Sequence, residues 1–236
     1  MRPRHIGIVA CSTEGAALCY RTISLVGAEL LGRHAHPEVS LHSYPLSDYM
    51  DWIRRDRWDG VAGLMLSSAE KLARGGADFL ICPDNTCHIA LPQVRDRSPL
   101  PWLHIGEVVA AEARRLGYRR LGITGTKYTM EGPVYPEVLG AADLEHRVPG
   151  AEARERIDRI IFDELVNGRF TDESLRFFQQ EIAALREQSC DAVILGCTEI
   201  PLLVPPEASP LPTLDSTRLL ARAAVEHAMD GGGPVG

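Results

Sequence analysis

Short apolar runs rich in β-branched residues alternate along this chain with longer amphipathic segments. The runs Ile6–Ala10, Val39–Ser43, Phe79–Cys82, Trp102–His104, Leu121–Thr124 and Ala192–Leu195 predict strands. The segments Ala16–Leu31, Gly60–Arg74, Gly106–Leu116, Arg154–Asn167 and Asp172–Gln188 are long enough for helices. A β-α-β-α order of this kind predicts an α/β protein with parallel sheets covered by helices on both faces.

Two stretches repeat one device. Gly76-Ala77-Asp78-Phe79-Leu80-Ile81-Cys82-Pro83-Asp84-Asn85-Thr86 and Ser189-Cys190-Asp191-Ala192-Val193-Ile194-Leu195-Gly196-Cys197-Thr198-Glu199 each run from a small residue and an aspartate, through a buried strand, into a polar tip. Two pseudo-symmetric lobes of similar build are expected, their tips facing each other across a cleft, because ligands of open α/β sheets bind beyond the carboxyl ends of the strands. Ser98-Pro99-Leu100-Pro101 and the proline-rich stretch 205–212 mark the crossings. The expected division is lobe 1 over 1–104, lobe 2 over 105–209, and a C-terminal segment over 210–236 whose helix Ser216–Met229 returns to lobe 1. The glycine-rich end 231–236 is expected to fray.

Composition narrows the function classes. At 236 residues and 45% hydrophobic content the chain can bury a sizeable core without staples. Its 25 basic and 32 acidic side chains leave a net charge of −7, which disfavours nucleic acid as a partner. No apolar run suits a membrane span and no export signal is evident, so a cytoplasmic protein with reduced thiols is expected. The six cysteines include no Cys-x-x-Cys pair, and their spacing matches neither a zinc site nor a disulfide scaffold, so no metal is expected.

The chemistry concentrates at the two tips. In Gly196-Cys197-Thr198-Glu199 the glycine permits a tight turn after the strand, placing a thiol beside backbone N–H groups and a hydroxyl. With a reference pKa of roughly 8.5, such a thiol can take and return a proton near neutrality after modest tuning. In Pro83-Asp84-Asn85-Thr86-Cys87-His88 the proline ends the strand, and Asn85 and Thr86 suit a turn or helix cap that offers N–H groups to a carboxylate. Thr126 and Lys127, after the strand Leu121–Ile123, are candidate anion contacts. His88 and His104 are expected to orient other groups, and Tyr135 and the tryptophans to pack. Cys82 is expected in the core and Cys87 at the start of the next helix, neither in the cleft.

Together these residues resemble the aspartate/glutamate racemase superfamily over nearly the whole chain. In that family one strand-tip cysteine, in Pro-Cys-Asn-Thr-x-His, removes the α-proton and another, in Gly-Cys-Thr-Glu, reprotonates the opposite face without pyridoxal phosphate. Gly196-Cys197-Thr198-Glu199 matches the second motif in full; Pro83, Asn85, Thr86 and His88 match the first. Ser12 and Thr13 fall where the family has its substrate-contacting first loop. The resemblance implies Cys197 and Asp84 as catalytic residues, no cofactor, a homodimer, and a small carboxylate substrate touched by Ser12, Thr13, Tyr49, Asn85, Thr86, Thr126, Lys127, Thr198 and Glu199.

Two departures qualify it. Asp84 stands where the family has its first cysteine, and a carboxylate is the weaker base, with a reference pKa of about 4 against about 8.5. Tyr49 stands in place of an arginine, and Val166, expected in a second-lobe helix, in place of a lysine, both of which hold a distal carboxylate. An apolar or aromatic-tolerant side-chain pocket fits these better than aspartate. Racemisation or epimerisation next to a carboxylate is therefore set beside single-cysteine decarboxylation, elimination or cis–trans isomerisation on the same scaffold, and beside a non-catalytic small-molecule sensor.

Overall fold

The structure is a computed structural model and describes residues 2–230. The glycine-rich end 231–236 lies outside the described residues. Seven strands are present among the described residues: β1 (Ile6–Ala10), β2 (Val39–Ser43), β3 (Phe79–Ile81), β4 (Arg120–Gly125), β5 (Glu145–Arg147), β6 (Ala192–Gly196) and β7 (Thr213–Asp215). The helices are α1 (Thr13–Leu31), α2 (Leu46–Ile53), α3 (Trp58–Arg74), α4 (Leu91–Arg95), α5 (Ile105–Arg115), α6 (Lys127–Glu131), α7 (Val134–Ala141), α8 (Ala151–Asp163), α9 (Asp172–Glu187), α10 (Ile200–Leu203) and α11 (Ser216–Met229).

The strands form two wholly parallel sheets, ordered β2-β1-β3 and β5-β4-β6-β7. Each sheet opens with a strand flanked by the next two in sequence, so the same winding occurs twice. The chain divides into unit 1, residues 1–105 with 217–236, and unit 2, residues 106–216. The chain leaves unit 1 at the first residue of α5 and returns just after the first residue of α11. The return falls beyond residue 210, where the sequence suggested it, because Thr213–Asp215 pairs with β6 and so belongs to the second sheet.

Burial follows the expected periods. All five residues of β1 and all five of β6 are buried, as in strands covered on both faces. On α1, Ala16, Cys19, Ile23 and Val26 form one buried stripe; on α9, Ser174, Phe177, Phe178, Ile182 and Leu185 form another. A fully buried Phe, Ile or Leu side chain stabilises the fold by about 1.5–3 kcal/mol, so these stripes hold the helices to their sheets. Ser12 and Thr171 cap α1 and α9 by accepting from the N–H groups of Gly15 and Ser174, both at 3.1 Å.

Two expectations are corrected. Trp102–His104 is not a strand: Trp102 meets Leu80 in a single bridge before α5 begins at Ile105. The helix expected over Arg154–Asn167 begins earlier, at Ala151, and ends at Asp163, so Val166 lies in a 3-10 turn, Leu165–Asn167. Both β5 and β7 escaped the sequence reading. β5 is Glu-His-Arg, an edge strand with no apolar alternation, and β7 is three residues behind a proline-rich stretch.

The repeated aspartate has a structural task. In unit 1 the Asp78 carboxylate accepts from His5 N–H at 2.6 Å, while Asp78 N–H donates to the His5 carbonyl at 2.8 Å. In unit 2 Asp191 accepts from Arg119 and Arg120 N–H at 2.6 and 2.9 Å, and its own N–H donates to the Arg120 carbonyl at 2.8 Å. Each aspartate thus clasps the start of the neighbouring strand and sets its register. Two residues earlier, Gly76 and Ser189 both adopt positive φ, 89° and 65°, to turn the chain off the preceding helix.

These bonds hold the Asp191 carboxyl below the usual carboxylate range, the Arg119 and Arg120 amides being the main cause. A depressed folded pKa stabilises above the unfolded value and is lost as pH falls through the folded one. Asp191→Ala is expected to lower stability by about 1 kcal/mol at neutral pH, given its exposure. In urea titrations the difference from the parent protein should shrink below about pH 4, the unfolded reference.

Candidate active site

In unit 1, β1 ends at Ala10 and passes through Cys11 into Ser12, the cap of α1; β3 ends at Ile81 and passes through Cys82 and Pro83 to Asp84. Because β1 and β3 are adjacent and parallel, these two exits lie side by side. Asp84 is half-buried and its Oδ1 accepts from the Cys87 N–H at 2.9 Å. That bond caps the 3-10 turn Thr86–Ala90, where the Asn85 side chain makes no capping bond. The Asp84 oxygen and the thiols of Cys11 and Cys87 all lie within 4.8 Å of one another.

This corner is electrostatically unusual. The hydrogen bond with Cys87 pulls the Cys11 thiol down, but burial and the neighbouring Asp84 and Cys82 outweigh it and leave its pKa raised to about 12. Cys87 is held well above the thiol range by hydrogen bonds to Cys11 and Cys82 and by burial. Tyr49, on α2, is fully buried; its hydroxyl has no hydrogen-bond partner, and burial followed by the charges of Cys87, Cys82, Cys11 and Asp84 raises its pKa. Cys87 lies in the 3-10 turn near its start and is fully buried, with its sulfur beside Asp84.

His88 secures the same turn from below. Its Nδ1–H donates to the Asp84 carbonyl at 2.8 Å, and its Nε2 accepts from Ile105 N–H at 3.2 Å. Acceptance at Nε2 requires the neutral ring, and burial lowers its pKa to about 4. His104 packs edge-on against it, 4.6 Å between centroids, and is driven to about 2 by burial and then by His88. His88 thus positions Asp84.

In unit 2, Cys197 follows β6 at the position Asp84 holds after β3. Gly125 and Gly196 are register partners on β4 and β6. A Cβ on Gly196 would come within 2.8 Å of both the Thr124 carbonyl and the Thr129 methyl, so only glycine allows the turn that presents Cys197. Five cysteines are buried; Cys197 is partly exposed. Its Sγ–H donates to Glu199 Oε2 at 2.9 Å, and Glu199 is itself only 3% exposed. Glu199, expected as a substrate contact, is therefore aimed at the thiol.

The other candidates are placed as follows. Ser12 is half-buried with its hydroxyl engaged by the Gly15 amide, and Thr13 is exposed on α1. Asn85 is buried and Thr86 half-buried in the turn after Asp84. Thr126 is buried and caps α6, accepting from Thr129 N–H at 3.4 Å. Lys127 is exposed, its Nζ lying 5.1 Å from the Tyr128 ring centroid and its N–H on Asp158. Thr198 is buried between Cys197 and Glu199 in sequence. The sequence reading missed Cys11 as a neighbour of Asp84. The available signal was the equivalence of the exits from β1 and β3, one residue past Ala10 and three past Ile81.

An α/β chain with two parallel sheets, each wound alike, has the build of the two-lobed Asp/Glu racemases. The chain belongs to the Asp/Glu/Hydantoin racemase family, whose model matches residues 7–224. It is 24% identical over 192 residues to the broad specificity amino-acid racemase RacX of Bacillus subtilis, covering 80% of this chain and 81% of that one. It is 31% identical over 145 residues to a glutamate racemase of Desulforudis audaxviator, covering 59% and 52%. Among solved structures, an aspartate racemase homologue from Pyrococcus horikoshii superposes with a TM-score of 0.83 at 27% identity, over 95% of this chain and 99% of that one. A candidate Asp/Glu racemase from Yersinia pestis gives 0.89 at 28%, over 96% and 99%. No described helix is long and apolar enough to cross a membrane.

The neutral, buried His88 makes stability depend on acid. Its folded pKa lies below the unfolded value, so the unfolded chain takes up the proton first as pH falls. Stability should decline by about 1.4 kcal/mol per pH unit below about 6.5 on account of His88, levelling off near its folded value of about 4. His88→Gln should flatten that descent in urea titrations across this range.

Proposed function

We propose that this protein is an amino-acid racemase or epimerase that moves a proton at the carbon next to a carboxylate, with Asp84 and Cys197 acting on opposite faces of that carbon. What carries the reading is their equivalence: each follows the strand that pairs with the first strand of its sheet, at the same place in a repeat whose aspartate clasp is alike in both units. Family membership supports the reaction class, and the substrate is a small amino acid or related acid.

In this reading Asp84 keeps Oδ1 on the Cys87 amide and uses its other oxygen to take or give the α-proton. Cys197 and Glu199 share one proton. With the proton on sulfur the thiol donates to Glu199; with it on Glu199 the sulfur is a thiolate base held by the carboxylic O–H. On reference values that transfer is uphill by about four pKa units, or about 6 kcal/mol. Burial of Glu199 reduces this, since desolvation disfavours a carboxylate. Tyr49, apolar in its body and with an uncommitted hydroxyl, supplies a side-chain wall in place of a cation, which favours substrates without a distal carboxylate. The protein is proposed to work as a cytoplasmic homodimer, as the family resemblance implies.

A second reading is favoured by one observation. The Cys87 amide donates to Asp84 Oδ1 and so commits that oxygen to capping its turn. Were Asp84 only an anchor for its turn, Cys197 alone would supply the proton in a decarboxylation, elimination or cis–trans isomerisation.

The test is NMR in D2O with a panel of amino acids, hydroxy acids and dicarboxylates, followed together with optical rotation. The racemase reading expects α-proton exchange with loss of optical activity. Cys197→Ala should abolish racemisation while leaving slow exchange with retention from the Asp84 side. Asp84→Asn and Glu199→Gln should each cost at least ~100-fold in kcat/KM, the low end for an acid/base group. Carbon dioxide or a new alkene signal would instead establish the second reading, and full racemisation by Cys197→Ala would overturn the first.

A further inference from the structure

Three of the five buried cysteines gather around Asp84. Cys11 leaves β1, Cys82 leaves β3, and Cys87 stands in the 3-10 turn that Asp84 caps. The Cys11 and Cys87 thiols hydrogen-bond each other, Cys82 bonds to Cys87, and Cys11 also bonds to Asp84. Single buried cysteines behave as small hydrophobes and need no explanation. Two thiols and a carboxylate with their donor atoms all within 4.8 Å of one another are a different case, because they form a polar corner against the core. The fully buried Tyr49 hydroxyl, close to the same four groups and with no partner of its own, is a second sign that this corner is incomplete as hydrocarbon packing.

We propose that Cys11, Cys87 and Asp84 form a binding site for a thiophilic divalent cation of the zinc class, with Cys82 or the Tyr49 hydroxyl beside the fourth position. Zinc–sulfur bonds of ~2.3 Å in a tetrahedron put ligand atoms ~3.8 Å apart, so the present spacing needs only a small contraction. Two thiolates and one carboxylate oxygen suit zinc or cadmium and exclude calcium and magnesium, which take oxygen shells. Asp84, half-buried where the thiols are buried, marks the side of entry. Binding forms two metal–sulfur bonds and one metal–oxygen bond, and two thiol protons leave to solvent for each ion bound. No electrons move. The three ligands are far apart in sequence or oddly spaced, which is why no cysteine motif announces them. Binding does not rest on the racemase reading; only its consequence does, since a metal-bound Asp84 could not carry a proton.

The test uses the whole chain, reduced and stripped with chelator, titrated with Cd2+ and followed by the thiolate-to-metal charge-transfer absorption. One saturable equivalent is expected, with about two protons released per ion in unbuffered solution. The band should persist in Cys197→Ala and Cys190→Ser and vanish in Cys11→Ser and Cys87→Ser. Asp84→Asn should weaken binding at least ~10-fold, the low end for loss of even a group behind the ligands. Should the serine variants fail to fold, zinc-edge X-ray absorption on the unsubstituted protein decides: two or three sulfur neighbours with oxygen support the site. A shell of only oxygen and nitrogen, a band lost in Cys197→Ala, or no saturable binding would overturn it. None of these readouts involves turnover, so the site and the racemase reading stand or fall separately.

Discussion

Parallel pairing between the first and third strands of each sheet is the constraint on which the rest depends. β1 with β3, and β4 with β6, are locked by the aspartate clasp at their starts and by Ile6–Phe79 and Leu121–Ala192 register within. With the starts fixed, the ends are fixed too. A one-residue slip would turn the buried strands inside out and carry Asp84 or Cys197 with them. The placement of Asp84 and Cys197 is therefore set by bonds made at the opposite end of the sheets, where Asp78 and Asp191 lie.

The two tips solve the same placement differently. At Asp84 the carboxylate is fixed by the backbone: it caps its own turn, and His88 ties that turn to the start of α5. At Cys197 the turn depends on absence of side chain at Gly125 and Gly196, and the thiol is fixed by Glu199. The oxygen on one unit is thus anchored to backbone and the sulfur on the other to a side chain. Symmetry of fold thus coexists with asymmetry of chemistry.

Much of this was legible in the sequence because burial there is continuous. Ile6–Ala10, Phe79–Ile81 and Ala192–Gly196 announce themselves as apolar runs, and the stripes of α1 and α9 follow the helical period. The repeat around Asp78 and Asp191 pointed to two strands of equivalent build before any coordinates. What could not be read is what depends on partners distant in the chain. Glu145–Arg147 is a strand only because Arg120–Gly125 offers an edge, and the Arg120–Glu145 ion pair at 2.7 Å is invisible to local pattern. Cys11 meets Cys87 only because β1 and β3 are neighbours. Glu199 turns to the thiol rather than outward, a rotamer choice that no spacing encodes.

The connection of the two units carries a consequence for biogenesis. Unit 2 is one uninterrupted stretch, whereas unit 1 is finished only when α11 supplies its last helix, through bonds such as Arg4 N–H to the Ala228 carbonyl at 2.9 Å and Arg222 to Glu29 at 3.1 Å. On the ribosome, which emits the chain from its amino end, the later-made unit has all its residues before the earlier-made one does. The nascent β1 must therefore wait, with the α11-facing side of its sheet uncovered, until α11 has emerged.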